Sequence, residues 1–276
     1  MIKYTIGTFS TRRMFPGREE GKVLGLDFFE LMSEPHAGAF SLFGTTHILL
    51  LFFSAGIICL VLHWVSGQGA ARQERAIQSM AVLVPVLEIS HAVWLYQAGV
   101  KELDKLLPLH LCGMQSVFIP LAVFSRRQYW QDYVYATSVL GGVFALLFQS
   151  GVADYYPFWH FQTLQNIALH LLLILVPVSL ILTGRHRPHP ARFPVSVGIF
   201  LGVAVLAGVV DWLGNENYMF LAYPPLNTPL VWVYQVLGHG GYLAVAFLLL
   251  AGMSLLLHLP FLRTEGRAER AARQQG

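Results

Sequence analysis

Seven long apolar segments determine what this chain can fold into. They lie at about 43–65, 77–99, 107–124, 133–150, 158–183, 195–213 and 229–258. Roughly 20 apolar residues let a helix cross about 30 Å of hydrocarbon, and a helix satisfies its own backbone hydrogen bonds there. The chain is 55% hydrophobic and only 12% charged, which is not the composition of a soluble domain. The sequence therefore predicts an all-α membrane protein, a bundle of about seven transmembrane helices.

Polar sequence flanks this apolar part at both ends. We expect residues 1–42 to form a polar leader, residues 43–260 the seven-helix domain and residues 261–276 a charged tail. Four apolar residues of the leader recur at helical spacing, with acidic residues on the other faces: Leu24, Phe28, Leu31 and Met32. This pattern is typical of an amphipathic helix lying in the membrane interface, and a loosely ordered tail is the alternative.

Basic residues in the loops predict the orientation. Most lie after the first, third and fifth segments and in the tail, whereas the loop after the second segment has only Lys101 and Lys105. The positive-inside rule then puts the C-terminus in the cytoplasm and, with seven spans, the N-terminus outside. We expect a multi-pass protein of the plasma membrane. The dispersed basic residues form no surface for nucleic acid, so no nucleic-acid partner is expected.

On this topology the polar residues of the spans fall in one half of the membrane. They are His47, Glu88, His91, His110, Cys112, Gln115, Gln149, His160, Gln162, Gln165, Asn166, His170, Asp211, Gln235 and His239. Ionisable residues at membrane depth are costly and usually functional, whereas structural accidents would scatter over both halves. The pattern predicts a polar cavity that opens outward. Single histidines or amides that only join helices are the alternative for each residue taken alone.

Helical spacing groups these residues further. Gln162, Asn166 and His170 repeat every four residues and share one stripe of the fifth segment, which we expect to face the bundle interior. Glu88 and His91 share a face of the second segment, where the carboxylate would orient the imidazole or both would reach a common partner.

His110 and Cys112 behave differently, because residues two apart point about 200° from each other in a regular helix. Unless Pro108 distorts that turn, Cys112 therefore takes its base from another span.

A nucleophilic cysteine is one chemistry that these parts allow. A thiol out of water keeps its proton, so Cys112 would need a neutral histidine to remove the proton during attack. His170 or His160 is the candidate, and Asn166 or Gln165 would donate to the oxyanion of an acyl-transfer intermediate. Cys59 lies deep in an apolar span and is expected only to pack.

Three sequence elements carry a resemblance to a known family. They are the run Leu107-Pro108-Leu109-His110-Leu111-Cys112, the segment from His160 through Asn166 to His170, and Asn217-Tyr218-Met219-Phe220-Leu221. Over about residues 43–258 the chain resembles the YwaF-type integral membrane proteins of bacteria. That family is similar to a vertebrate transmembrane acyltransferase family that moves fatty acyl chains between phospholipids. It is more distantly similar to membrane hydrolases of fatty acid esters of hydroxy fatty acids.

The resemblance implies a Cys or Thr nucleophile with a histidine on a later span. By position, Cys112 matches the nucleophile and His170 the histidine, while Asn217 and Tyr218 match an element whose role the resemblance does not give.

The sequence thus favours a membrane-embedded acyltransferase that acts on phospholipid or lysophospholipid acyl chains through a Cys/His covalent mechanism. Cys112 and His170 would be catalytic, and Lys101 and Lys105 would hold the head group. The expected supporting cavity comprises Glu88, His91, His110, His160, Gln162, Asn166, Asn217, Tyr218 and His239. Membrane phospholipids and lyso-lipids would be the partners, with no cofactor and no metal.

Three alternatives stay open at this point. The first is a lipid ester hydrolase with the same mechanism. The second is a metal-binding or haem-binding protein, since imidazole is the commonest metal ligand in proteins. It would use five of the histidines of the spans: His91, His110, His160, His170 and His239. The third is a transporter or sensor whose polar cavity binds a solute or a proton.

Overall fold

A computed structural model describes residues 28–36, 38–149, 151–214, 216–225 and 228–273 of the protein. The helices are α1 (Thr45–Ser66), α2 (Ala70–Gln97), α3 (Leu103–Leu106), α4 (Gln115–Ser125), α5 (Gln128–Phe148), α6 (Phe161–Leu182), α7 (Phe193–Gly214) and α8 (Leu230–Arg273). One-turn 3-10 helices, Pro190–Arg192 and Tyr218–Phe220, lie before and after α7. The described residues contain no β-strand, so the prediction of an all-α fold is confirmed.

Within the described part of the chain, five helices are long and apolar enough to cross a membrane. They are Thr45–Ser66, Ala70–Gln97, Phe161–Leu182, Pro190–Gly214 and Leu230–Phe261. Large apolar side chains cover their outer surfaces; Phe52 on α1 is 74% exposed and Trp212 on α7 is 83% exposed. In water such surfaces would be costly, whereas hydrocarbon accepts them. The protein is therefore a multi-pass membrane protein, and the two other predicted segments also contain helices, α4 and α5.

The third predicted segment differs from a regular span. Residues 107–114 are not helical, and α4 begins at Gln115 and has 11 residues, a length of about 16 Å. Pro108 has no backbone N–H and pushes the residue before it towards an extended conformation. Gly113 then packs so closely that an added Cβ would lie 3.0 Å from the Cα atom of Pro108. The segment around Pro108 is therefore not a regular helix. The separation of about 200° that a helix would give His110 and Cys112 does not apply.

Helix α6 is the centre of the bundle. Its residues from Leu169 to Val176 are buried, because α1, α2 and α5 pack around it. Apart from its polar stripe, α6 is apolar around its circumference, and such a helix is stable only when other helices or lipid surround it. Here other helices surround it. The second hub is α5, which packs against α4, α6, α7 and α8.

Helices α5 and α6 approach each other at the level of the backbone. Ser138 donates from Oγ to the carbonyl of Leu173 at 2.9 Å. One turn further, a Cβ added to Gly142 would lie 2.8 Å from the carbonyl oxygen of His170 and 2.8 Å from Cγ1 of Ile174. Small residues at helix interfaces allow this close packing in membranes.

The N-terminal strap, residues 28–36, departs from the predicted interfacial helix. These residues are not helical, and residues 24–27 of that prediction lie outside the described residues. The carbonyl of Phe28 accepts from the backbone N–H of Phe161 at 3.1 Å, and the carbonyl of Phe29 accepts from the indole N–H of Trp94 at 2.8 Å. Because these carbonyls bond to other helices, they do not form a helix of their own.

The α5–α6 contact gives a first prediction. Gly142→Ala should destabilise the protein by about 1–3 kcal/mol, since the new methyl group must push α5 away from the backbone of α6. The measurement is the thermal unfolding midpoint of purified protein in detergent. Gly198→Ala is the matched control, because a Cβ at this α7 position meets nothing within 4 Å. Equal midpoints for the two variants would contradict the close packing.

Candidate functional site

Cys112 lies where the irregular segment 107–114 passes between α2 and α5. The thiol is free and half-buried. A Cβ at Gly141 of α5 would lie 3.1 Å from Sγ of Cys112, and a Cβ at Gly113 would lie 2.9 Å from Oε1 of Glu88 on α2. Gly141 therefore leaves space for the thiol of Cys112 against α5. Gly113 leaves space for the carboxylate of Glu88 on α2.

His170 is buried in α6 in a single defined tautomer. Its Nδ1 lies 2.7 Å from the carbonyl oxygen of Asn166 one turn earlier. A carbonyl can only accept, so Nδ1 carries the proton and Nε2 of the neutral ring carries the lone pair. Among the described residues Nε2 has no hydrogen-bond partner, which leaves it available as a base.

Helix α5 brings these two residues to one level of the bundle. Gly141 adjoins the thiol of Cys112, and the next residue, Gly142, adjoins the backbone of His170. Within the described part of the chain, Cys112 and His170 do not hydrogen-bond to each other. The two sequence-predicted catalytic residues thus lie on either side of the same two glycines.

His160 has a structural role. It caps the N-terminus of α6, where its Nδ1 accepts from the backbone N–H of Gln162 at 3.1 Å. Its Nε2 donates to the carbonyl of Glu30 in the N-terminal strap at 2.9 Å. Both ring nitrogens are therefore engaged, and aromatic rings of Trp94 and Tyr156 surround the imidazole.

The polar stripe of α6 faces its neighbours, as the spacing predicts. Nε2 of His91 on α2 lies 2.8 Å from Oε1 of Gln162, so the imidazole donates to the amide oxygen. Asn166 donates from Nδ2 to Oε1 of Gln149 at 3.4 Å. Glu88 is not hydrogen-bonded to His91 among the described residues. His91 therefore joins two helices.

Asn217 organises the loop between α7 and α8. Its Oδ1 accepts from the backbone N–H groups of Ala222 and Tyr223 at 2.9 and 3.1 Å, and its Nδ2 donates to the carbonyl of Tyr223 at 3.1 Å. The backbone N–H of Tyr218 donates to Oδ1 of Asp211 at 2.7 Å. The element that begins at Asn217, whose role the resemblance does not give, therefore forms a loop closed by its own hydrogen bonds.

Two histidines hold this loop against the rest of the site. Nδ1 of His110 accepts from the backbone N–H of Met219 at 3.3 Å, and the imidazole packs against the rings of Tyr218 and Phe220. His239 on α8 donates from Nε2 to the carbonyl of Leu221 at 2.7 Å. The segment that carries Cys112 therefore contacts the loop through His110.

Lys101 and Lys105 lie at the same end of the bundle, after α2 and in α3, and both are exposed. The described residues contain no group of three or more His, Cys, Asp or Glu side chains arranged to hold a metal ion. The histidines instead pair separately with amides and backbone groups.

An apolar cleft lies between α7 and α8, with α5 as its floor. Its lining includes Ala136 and Thr137 of α5, Phe200 of α7 and Phe247 and Ala251 of α8. The rings of Phe200 and Phe247 meet across it at 6.2 Å. Thr137 accepts from the Nε2 amide of Gln115 at 3.1 Å and lies one turn of α5 from Gly141. The cleft therefore begins one helical turn from the thiol.

Sequence reasoning missed a buried polar cluster at the opposite end of the bundle. Two of its histidines, His186 and His258, are only 2% and 0% exposed. Buried Asp132 forms an ion pair with Arg192, and its Oδ1 lies 3.4 Å from Nε2 of His186. Asp132, an acidic residue at the edge of an apolar segment, was the available signal.

The buried His186 lies outside the spanning helices and is hard to protonate. Burial is the main cause that lowers its pKa to about 3, and the charge of Arg192 acts in the same direction. Nδ1 of His186 donates to Oε1 of Gln128 at 3.1 Å. The folded protein therefore holds this imidazole neutral.

This gives a prediction for the dependence of stability on pH. The unfolded chain binds a proton at His186 below about pH 6.5, whereas the folded protein excludes it until about pH 3. Stability should fall by about 1.4 kcal/mol for each pH unit in that window as the pH drops. His186→Asn, which keeps a donor for Gln128, should flatten this fall in pH-dependent unfolding curves. His63→Asn on α1 is the control and should keep the wild-type slope. If His186→Asn keeps that slope as well, the pH dependence does not come from His186.

The fold and these contacts define an all-α, multi-pass membrane protein with a polar cluster at each end of its helices. The TMEM164 family model matches residues 42–257, so the chain belongs to the TMEM164 family. The matched range extends from just before α1 through the apolar part of α8. No curated protein and no solved structure matches the chain.

Proposed function

We propose that the protein is a membrane-embedded acyltransferase that moves an acyl chain from a phospholipid to a lyso-lipid through a thioester on Cys112. The observation that carries the proposal is that a half-buried thiol and the backbone of a buried histidine with one unpartnered ring nitrogen lie against neighbouring residues of α5. The two adjoin consecutive glycines of α5, and the proton on Nδ1 of His170 leaves Nε2 as the basic atom. The resemblance to YwaF-type proteins and to vertebrate phospholipid acyltransferases supports the same reaction class.

In the first half-reaction, Nε2 of His170 takes the thiol proton while Sγ of Cys112 attacks the ester carbonyl of the phospholipid. The tetrahedral intermediate collapses, the ester C–O bond breaks, and the leaving lyso-lipid oxygen receives the proton from His170. The acyl chain is then held as a thioester.

In the second half-reaction, the hydroxyl of an acceptor lyso-lipid gives its proton to His170 and attacks the thioester. The new ester forms as the C–S bond breaks, and the proton returns to Cys112. Water in place of the lyso-lipid would make the same site an ester hydrolase, so exclusion of water decides between the two activities.

Neighbouring groups support this assignment of roles. His160 uses both ring nitrogens in capping α6 and in binding the strap, which favours His170 as the base. The Asn166 amide makes a long 3.4 Å hydrogen bond to Gln149, whereas Gln165 donates at 3.2 Å to Leu87. The weaker bond of Asn166 makes its amide the better candidate to turn towards an oxyanion.

The proposal assigns each part of the lipid to a feature of the bundle. We place the acyl chain in the apolar cleft between α7 and α8, which begins one turn of α5 from the thiol. Lys101 and Lys105 are exposed at the same end and would attract the head-group phosphate. With the orientation that the loop arginines predict, the end of the bundle that carries Cys112 faces outward from the plasma membrane. In this proposal the helical domain, residues 43–260, carries out the whole reaction.

The nucleophile is tested with labelled phospholipid and purified protein. The wild type should release lyso-lipid and carry the acyl chain on Cys112, detected by mass spectrometry of peptides. Cys112→Ala should abolish both, while its unfolding midpoint stays close to that of the wild type. Cys59→Ala, at an exposed position of α1, is the matched control and should keep full activity. Turnover by Cys112→Ala would rule out the covalent mechanism.

The base is tested by comparing two histidines of the same helix. His170→Asn keeps a donor near the carbonyl of Asn166 but removes the base, so acylation of Cys112 should slow by about 10²-fold or more. His160→Asn keeps a capping side chain but loses the bond to Glu30 and the ring contacts with Trp94 and Tyr156, so its loss should be mainly in stability. Single-turnover acylation rates measure the first effect. The reverse ranking of the two rates would make His160 the base.

A further inference from the structure

A second cavity lies at the end of the bundle opposite to Cys112. It is about 130 Å³ in volume and lies where α2 and α5 begin and where α4 and α6 end. Ile77, Val123 and Leu180 are buried and form its apolar lining. The polar lining consists of Glu74, Gln78, Arg126, Gln131 and Arg185. None of these residues takes part in the proposed acyl transfer.

Two left-handed turns bring the arginines to this cavity. Arg126 ends α4 with φ at 55°, which turns the chain directly into α5. Gly184, with φ at 72°, turns the chain after α6, and the N–H of Arg185 then donates back to the carbonyl of Leu180 at 2.9 Å. Glycine adopts this conformation without strain, whereas Arg126 does so at some cost.

The two guanidinium groups are held differently. Arg185 donates from its two terminal nitrogens to Oε1 of Gln73 at 3.0 Å and to the carbonyl of Ala70 at 2.8 Å, which fixes it against the start of α2. Arg126 forms an ion pair with Glu74, and its side chain is 70% exposed. The guanidinium group of Arg185 is therefore fixed. That of Arg126 lies on an exposed side chain, and its partner is the carboxylate of Glu74.

The lining has a net positive charge above an apolar floor. Two arginines face one carboxylate, and the two glutamines are neutral. Guanidinium groups bind phosphate in a planar, bidentate way, and an apolar floor favours a ligand with hydrocarbon next to its charge. Basic pockets between membrane helices bind anionic head groups in this manner.

We propose that this cavity binds the phosphate of an anionic phospholipid. Arg185 and Arg126 hold the phosphate, and the glycerol and first methylenes lie against Ile77, Val123 and Leu180. The phosphate takes the place of the Glu74 carboxylate on Arg126, so Glu74 weakens binding. The site lies at the other end of α2 and α6 from Cys112, and the proposal does not depend on acyl transfer.

The experiment uses the full chain in nanodiscs of phosphatidylcholine, with phosphatidylglycerol added as the anionic probe. Native mass spectrometry counts retained phosphatidylglycerol, and the thermal unfolding midpoint reports stabilisation. Arg126→Gln and Arg185→Gln should each weaken retention at least tenfold. Glu74→Gln should strengthen it, because the competing carboxylate is gone.

Matched controls come from the neighbouring arginines. Arg127 and Arg187 are exposed, carry the same charge within two residues of the site, and do not line the cavity. Arg127→Gln and Arg187→Gln should retain phosphatidylglycerol as the wild type does. Arg185→Gln also removes a contact with α2, so Arg126→Gln, which changes an exposed side chain, decides the result if Arg185→Gln fails to fold.

Three outcomes would overturn the proposal. Equal losses in the cavity and control variants would mean that the positive face attracts anionic lipid without a site. Retention that does not rise in Glu74→Gln would show that phosphate does not replace the carboxylate. Full stabilisation by inorganic phosphate or glycerol 3-phosphate alone, without lipid, would make a soluble anion the ligand.

Discussion

Polar groups that enter the membrane must find their partners within the protein, because hydrocarbon supplies none. This constraint explains most of the contacts described above. His91 donates to Gln162, and His47 donates from Nε2 to the carbonyl of Leu146 at 3.0 Å, so each joins two helices. His170 differs from His47, whose Nδ1 also accepts from the backbone N–H of Phe43, since only one ring nitrogen of His170 has a partner among the described residues. A histidine with one engaged nitrogen is suited to proton transfer, whereas one with two engaged nitrogens serves mainly as a link.

Close approach of α5 depends on glycine at two consecutive positions. Gly141 leaves space for the thiol of Cys112, and Gly142 lets the α6 backbone come near. The same helix also provides the floor of the apolar cleft through Ala136 and Thr137. One helix therefore lies against Cys112, against the backbone of His170 and along the cleft beside them. The arginine cavity uses other parts of the bundle and is sterically independent of this arrangement.

The all-helical fold could be predicted from the sequence, because segment length and hydropathy follow directly from the thickness of the membrane. The inward stripe on α6 could also be predicted, since helical spacing alone determines which residues share a face. The engagement of both ring nitrogens of His160 could not, because one of them bonds to the strap carbonyl of Glu30, which is distant in sequence. The burial of His186 and His258 depends likewise on how α8 and the loop after α6 pack around Asp132.

The cap of α6 connects the chain before the membrane helices to the centre of the bundle. One imidazole, His160, both starts this helix and binds the strap at Glu30, while the next residue, Phe161, donates to Phe28. The first turn of the most buried helix is thus built partly from the segment that precedes α1. Without residues 28–30, the N-terminal end of α6 would lack two of its hydrogen bonds to the rest of the chain.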